Sequence, residues 1–215
     1  MADKEKEFPS YQVISEPGTG VYEEKKSRFI ANIAPAASEE EALAFIEAIR
    51  KKHYDARHNC PAFIIGSNRQ LTRCSDDGEP SGTAGRPILE VLLGAGITNV
   101  VVVVTRYFGG TLLGTGGLVR AYTQAVQEAL HNAKVAVMQY GISMTIGIDY
   151  PDAGKVQHLL ADDRIEVADS RYTDKVEFDI RLPWEQEEGL RKQLTESTAG
   201  RARIEITGKG YYRKG

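Results

Sequence analysis

The sequence predicts an α+β protein built as two domains, and three observations carry that reading. Residues 97–105 are dominated by β-branched residues, with five consecutive valines at 100–104, between two segments whose apolar residues recur at helical spacing. Ile142, Met144, Ile146, Ile148 and Tyr150 alternate strictly, as in a strand with one buried face. From there onward the order reads β-α-β-β-α-β, the split arrangement of a ferredoxin-like domain. With 215 residues, the chain is long enough for two modest cores.

In the first half, residues 11–14 and 28–33 predict strands, with a turn at Glu16-Pro17-Gly18 between them. Ser38 followed by Glu41 makes a capping box, and Ala42, Phe45, Ile46 and Ile49 then give a helix to about Lys52. Residues 60–66 predict a strand. After the polar loop Asp76-Asp77-Gly78-Glu79-Pro80, the proline at 87 requires a first helical turn, and Gly94 supplies the stop. The run at 97–105 is a strand covered on both faces. Residues 109–117 form a Gly-rich loop, and Leu118, Tyr122, Ala125 and Ala129 mark a helix ending near Asn132.

In the second half, the alternating strand is followed by a helix at 151–161 and strands at 165–171 and 176–182. A helix opened by Pro183 and closed by Gly200 comes next, then a last strand at Ile204 and Ile206. The domains span residues 11–135 and 136–208. They lie between a frayed charged tail, residues 1–10, and a solvated basic tail, residues 209–215.

A net charge of −3 argues against a protein that coats DNA by bulk positive charge. Two cysteines, Cys60 and Cys74, fit free thiols in a reducing compartment. The N-terminal segment lacks an apolar core of the signal-peptide kind, and no apolar run approaches the ~20 residues that span a bilayer. The expected location is the cytoplasm, without a membrane partner. Oligomeric state is not legible.

Two helix starts are rich in glycine: Gly82-Thr83-Ala84-Gly85 and Gly114-Thr115-Gly116-Gly117. A helix N-terminus offers unpaired N–H groups and partial positive charge, and glycines let an anion approach them. Residues 97–121 hold Arg106 and Arg120 but no Asp or Glu. Arg86, Arg106, Arg120, Thr83, Gly85, Tyr107, Gly109, Gly110, Gly114, Thr115, Gly116 and Gly117 therefore form a candidate surface for a phosphate, of a nucleotide or of RNA. The competing reading is that the glycines serve tight turns and close packing. Neither loop matches the Walker A or dinucleotide spacing. Of Tyr107 and Phe108, one is expected to face the core and the other a base.

Asp76, Asp77 and Glu79 offer oxygen ligands for Mg²⁺, against an acidic turn as the plainer reading. Asp76 or Asp77 is alternatively a partner that orients Arg86 or Arg106. His58 and Cys60 share a strand face, but no third group orients them as a catalytic pair. The four histidines have no metal-ligand spacing, and no other cofactor is expected.

Ser75-Asp76-Asp77-Gly78-Glu79-Pro80-Ser81-Gly82-Thr83-Ala84-Gly85, Arg106-Tyr107-Phe108-Gly109-Gly110 and Leu113-Gly114-Thr115-Gly116-Gly117-Leu118 resemble the signature of the IMPACT family. Asp55-Ala56-Arg57-His58 fits as well, and the whole chain is similar to the bacterial two-domain members of the YigZ type. The resemblance implies a first domain with the β-α-β topology of a small-subunit ribosomal protein, shared with a domain of elongation factor G and with small-molecule kinases. It implies a second domain similar to the C-terminal domain of that factor. Eukaryotic members regulate translation under amino-acid starvation by means of an additional N-terminal domain that this sequence does not contain, so their partner does not carry over. The expectation is a translation-associated regulator that binds RNA, the ribosome or a translation factor. A Mg²⁺-dependent enzyme acting on a nucleotide or phosphorylated ligand and a non-catalytic protein–protein regulator are the alternatives.

Overall fold

A computed structural model describes residues Phe8 to Lys214. The chain divides into two compact units, one from Tyr11 to Val137, the other comprising the residues before Tyr11 and those from Met138 on. The expected frayed tail lies outside the described residues as far as Glu7. Beyond that point it is ordered by packing: Phe8 stacks on Tyr140 at 4.0 Å, and the Tyr211 hydroxyl donates to the Pro9 carbonyl.

The first unit contains β1 (Tyr11–Glu16), β2 (Gly18–Glu24), β3 (Ser27–Pro35), α1 (Glu39–Lys52), β4 (His58–Ile65), β5 (Leu71–Cys74), α2 (Gly85–Gly94), β6 (Val100–Tyr107) and α3 (Gly114–His131). Its sheet has the order β2-β3-β6-β4-β5, antiparallel throughout. Central β6 is buried on both faces. Val101 and Val103 meet Ala42, Ile46 and Ile49 of α1, while Val100, Val102 and Val104 meet α2 and α3. Three layers result, with α1 on one face and the two Gly-initiated helices on the other.

Ser38 caps α1 as expected, its hydroxyl accepting from the Glu41 amide while Glu41 reaches back to the Ala37 amide. Two strands escaped the sequence reading. β2 begins Gly18-Thr19-Gly20, which reads as a turn, yet the glycines are there because α3 lies directly on them. A Cβ at Gly20 would sit 2.3 Å from the Ala129 nitrogen. β5 is only four residues long and mostly exposed, so it shows no apolar pattern.

The second unit contains most of β7 (Lys134–Ile148), then α4 (Tyr150–Asp162), β8 (Glu166–Tyr172), β9 (Val176–Pro183), a 3₁₀ turn (Trp184–Gln186), α5 (Glu187–Ser197) and β10 (Arg203–Arg213). The strands pair antiparallel in the order β10-β7-β9-β8. One face packs Ile142, Met144, Ile146 and Ile148 with Phe178, Ile180 and Leu182 beneath Val156, Leu160, Leu190 and Leu194 of the helices. The expected basic tail is not one. Lys209 to Arg213 continue β10, paired to Met138–Ile142, because Tyr211 packs on Tyr140 and Lys209 lies 4.9 Å over the Trp184 ring. Pro183 ends β9 rather than opening α5, the 3₁₀ turn intervening.

A candidate anion-binding cleft at the tip of α3

The two Gly-rich helix starts differ in what occupies them. At α2, the Gly85 backbone lies against Ser75, where an added Cβ would come within 2.7 Å of the Ser75 carbonyl carbon. That close approach delivers the next residue, Asp76, onto the helix tip. Its carboxylate accepts from the amides of Gly82 (2.8 Å), Ala84 (2.9 Å) and Gly85 (2.9 Å). Partial burial pushes the Asp76 carboxyl up, but the three amides together outweigh it and the net shift is downward. The expected anion site is thus filled by the chain's own carboxylate. Thr83 is buried, its hydroxyl donating to the Pro80 carbonyl at 2.7 Å, and does not face a ligand.

Arg106 also departs from expectation. It leaves the end of β6 buried, with Nη1 donating to both Glu79 oxygens at 2.7 and 2.9 Å. The Tyr122 hydroxyl donates to Glu79 at 2.8 Å, and the Cys60 thiol lies 3.3 Å from the Tyr122 oxygen. Phe29 and Phe108 flank the guanidinium at 5.5 and 5.6 Å. Among the polar atoms of this cluster, Arg106 Nε is buried without a partner. The pair is neutral as a whole, so Arg106 is a structural cation and not a free phosphate ligand. Burial raises the Tyr122 hydroxyl and pushes the Cys60 thiol up to about 12, so Cys60 is no nucleophile.

The acidic loop is likewise committed to protein partners. Asp77 accepts from the Asn59 amide (2.7 Å) and from Arg50 (3.4 Å), and its carbonyl accepts from His58 Nδ1 (2.8 Å). With Asp76 on the α2 tip and Glu79 on Arg106, the three carboxylates point to different partners. Among the described residues, no cluster of three or more His, Cys, Asp or Glu side chains is gathered to hold a metal.

The α3 tip is open. Leu113 stands at its N-cap position with no side-chain hydrogen bond, the first turn carries no acid, and Gly114, Thr115 and Gly116 are exposed. This tip borders a cleft of about 770 Å³ lined by Asp55–His58, Glu79, Pro80, Arg106, Tyr107, Phe108, Leu112 to Thr115, and Leu118. Two lining carboxylates are already engaged: Glu79 by Arg106, and Asp55, which accepts from the Tyr107 hydroxyl at 2.9 Å. The same hydroxyl lies 3.0 Å from His53 Nδ1, which fixes the Tyr107 ring. Arg57 is exposed and makes no ion pair among the described residues, and Phe108 is 53% exposed. The cleft therefore combines helix-terminal amides, an exposed guanidinium outside any ion pair among the described residues, an open aromatic ring and the Asp55 carboxylate, which the Tyr107 hydroxyl hydrogen-bonds without cancelling its charge.

Of the expected site residues, His58, Glu79, Arg106, Tyr107, Gly114 and Thr115 come together here. Arg86 does not: it is exposed and paired with Glu90 at 2.7 Å. Arg120 sits on α3 beyond the first turn, exposed, and Gly117 packs on Leu113. Gly109 serves packing, because a Cβ there would lie 2.0 Å from the Lys26 carbonyl carbon, and Gly110 turns the chain at φ +85°. Arg57, Phe108 and Leu112 are among the lining residues that charge and glycine content alone leave out of the site. Neither Tyr107 nor Phe108 faces the core, against the expectation of one in and one out: β6 ends at Tyr107, so strand alternation stops there and both rings line the cleft.

Comparison with known proteins decides the family. Residues 25–130 match the Impact N-terminal domain and residues 146–201 a domain of unknown function. The chain is 38% identical over 195 residues to the IMPACT family member YvyE of Bacillus subtilis, covering 91% of this chain and 90% of that protein. The chain belongs to the IMPACT family. YigZ of Escherichia coli is 40% identical over 176 residues, covering 81% of this chain and 86% of its own length, and the match makes this a YigZ-type member. A Thermus thermophilus member is 44% identical over 182 residues, 84% of this chain and 98% of that protein. Mouse Protein IMPACT is 35% identical over 96 residues only, 42% of this chain and 30% of that protein. A crystal structure described as that of a hypothetical protein is 36% identical and covers 91% of this chain and 96% of that chain, with a TM-score of 0.60.

Proposed function

We propose that this IMPACT-family protein is a cytoplasmic, translation-associated regulator that binds single-stranded RNA, with one nucleotide seated in the cleft at the α3 tip. The observation that carries the reading is the open first turn of α3 beside exposed Phe108 and Arg57 in one concave site. Unpaired amides and the helix dipole suit a phosphate, the aromatic face suits a base, and Arg57 adds a guanidinium that makes no direct ion pair among the described residues. Arg106 and Glu79 form a rigid, neutral floor and bind nothing directly. The translation context comes from the family resemblance. Among the described residues no helix is long and apolar enough to cross a membrane.

Removing the stacking face tests this. A fluorescently labelled oligouridine 12-mer is expected to bind the full chain with an affinity that falls log-linearly with salt. Phe108→Ala, at a solvent-exposed position, is expected to weaken binding by about 5- to 150-fold, the range for one lost base stack. Equal affinity in the variant would remove the cleft from the interface.

The cleft's size favours a second reading, because about 770 Å³ is typical of small-molecule pockets. In that case a free nucleotide, not a polymer, raises the melting temperature, by an amount that grows with ligand concentration. Three carboxylates already engaged within the protein leave the Mg²⁺-dependent form of that reading without a metal cage.

A further inference from the structure

The β2–β3 hairpin turns through Lys25 and Lys26, with Glu24 paired to Ser27 on either side. Both lysines have positive φ, 46° and 66°. A two-residue hairpin with this backbone is a type I′ turn, for which Asn-Gly is the favoured pair and L residues with long side chains are disfavoured. Two consecutive lysines are therefore a poor choice for the turn itself. Sparsely populated backbone held in place by its surroundings is a recurring feature of functional sites.

The turn's surroundings point to what the lysines serve. Gly109 lies against the Lys26 backbone, and its amide donates to Ser27 Oγ at 3.1 Å. This fixes the hairpin tip one residue from Phe108, whose ring lines the cleft. Lys25 and Lys26 are exposed and make no ion pair among the described residues. The nearest acids in the hairpin are engaged, Glu24 by the Tyr22 hydroxyl at 3.1 Å and Glu23 by Arg28 at 4.0 Å. Arg28, which pairs with Glu23, stands opposite Tyr107 in the β3–β6 register, so the hairpin lies beside the end of β6 that lines the cleft.

We propose that Lys25 and Lys26 form a second phosphate-contact site, which holds the backbone of the RNA strand whose neighbouring nucleotide occupies the cleft. This inference rests on the RNA reading above and extends it from one nucleotide to a strand with a defined exit. The turn carries two consecutive exposed lysines, and the close contact of Gly109 with the Lys26 backbone holds the turn itself beside the cleft.

The test uses two double variants of the full chain and the same labelled oligouridine 12-mer. Lys25→Asn/Lys26→Gly restores the favoured turn and removes both charges. Lys25→Gln/Lys26→Gln removes the charges and leaves the turn as it is. Both variants are expected to flatten the slope of log K against log salt by about 1.4, which corresponds to binding about 25-fold weaker at 0.1 M salt. Only the Asn-Gly variant is expected to melt at a higher temperature than the parent protein. Parental slopes in both variants, with the parent binding RNA normally, would overturn the hairpin site and leave the cleft reading standing. Failure of the parent protein to bind RNA would overturn both.

Discussion

The tips of α2 and α3 begin with nearly the same kind of sequence, yet one is closed and the other open. Gly82, Ala84 and Gly85 donate their amides to Asp76, whereas Gly114-Thr115-Gly116 has no carboxylate on it. The difference lies outside the helices. Ahead of α2, strand β5 and the acidic turn bring Asp76 back onto the tip, and Gly85 permits the close approach of Ser75. Ahead of α3, β6 ends in an aromatic pair and the segment 109–113, which contains no acid. A glycine-rich helix start is thus a potential anion site only when the chain has not already supplied the anion. The same contrast explains the arginines: Arg106, nearest the chemistry in sequence, is neutralised by Glu79, while Arg57, outside both Gly motifs, stays free.

The largest expected effect comes from the pair beneath the open tip. Glu79→Ala leaves the Arg106 guanidinium buried and uncompensated, at a cost of about 3–5 kcal/mol in urea unfolding. Replacing both partners, as Glu79→Leu/Arg106→Met, is expected to recover much of that loss. A double variant no more stable than the single one would show that the pair is not the coupled unit described.

A smaller effect sharpens the contrast at the closed tip. Asp76→Ala removes a charged acceptor from three amides and is expected to cost about 2 kcal/mol at pH 7. Because the carboxyl is held below its ordinary value of 3.8, its contribution is fully present above that pH. The contribution is lost as pH falls through the lower folded-state value. The stability gap between parent and variant should therefore shrink in acid. A gap independent of pH would mean that the carboxylate's charge is not what closes the tip.

Much of this fold was legible in local pattern. The run at 100–104 declared a central strand, the Ser38–Glu41 box declared the start of α1, and alternation from Ile142 declared β7. β2 stayed hidden because its glycines answer to α3, more than a hundred residues away in sequence. At the site, the Gly motifs correctly drew attention to residues 75–120. What they could not show was pairing across the sheet: Glu79 meets Arg106 and Tyr122 only after β4 and β6 align, and Asp76 reaches the α2 tip only after Ser75 packs on Gly85. Charge and spacing reveal which groups are present, whereas three-dimensional pairing determines which remain available to a ligand.

The most direct measurement is an NMR titration of the full chain with the unlabelled oligouridine 12-mer, following backbone amides at both tips. The amides of Thr115, Gly116 and Gly117 are expected to shift progressively and to return as salt is raised, while those of Gly82, Ala84 and Gly85 stay in place on the Asp76 carboxylate. Shifts confined to the α2 tip, equal shifts at both, or none at α3 would contradict the assignment of the open tip as the anion-binding end of the cleft.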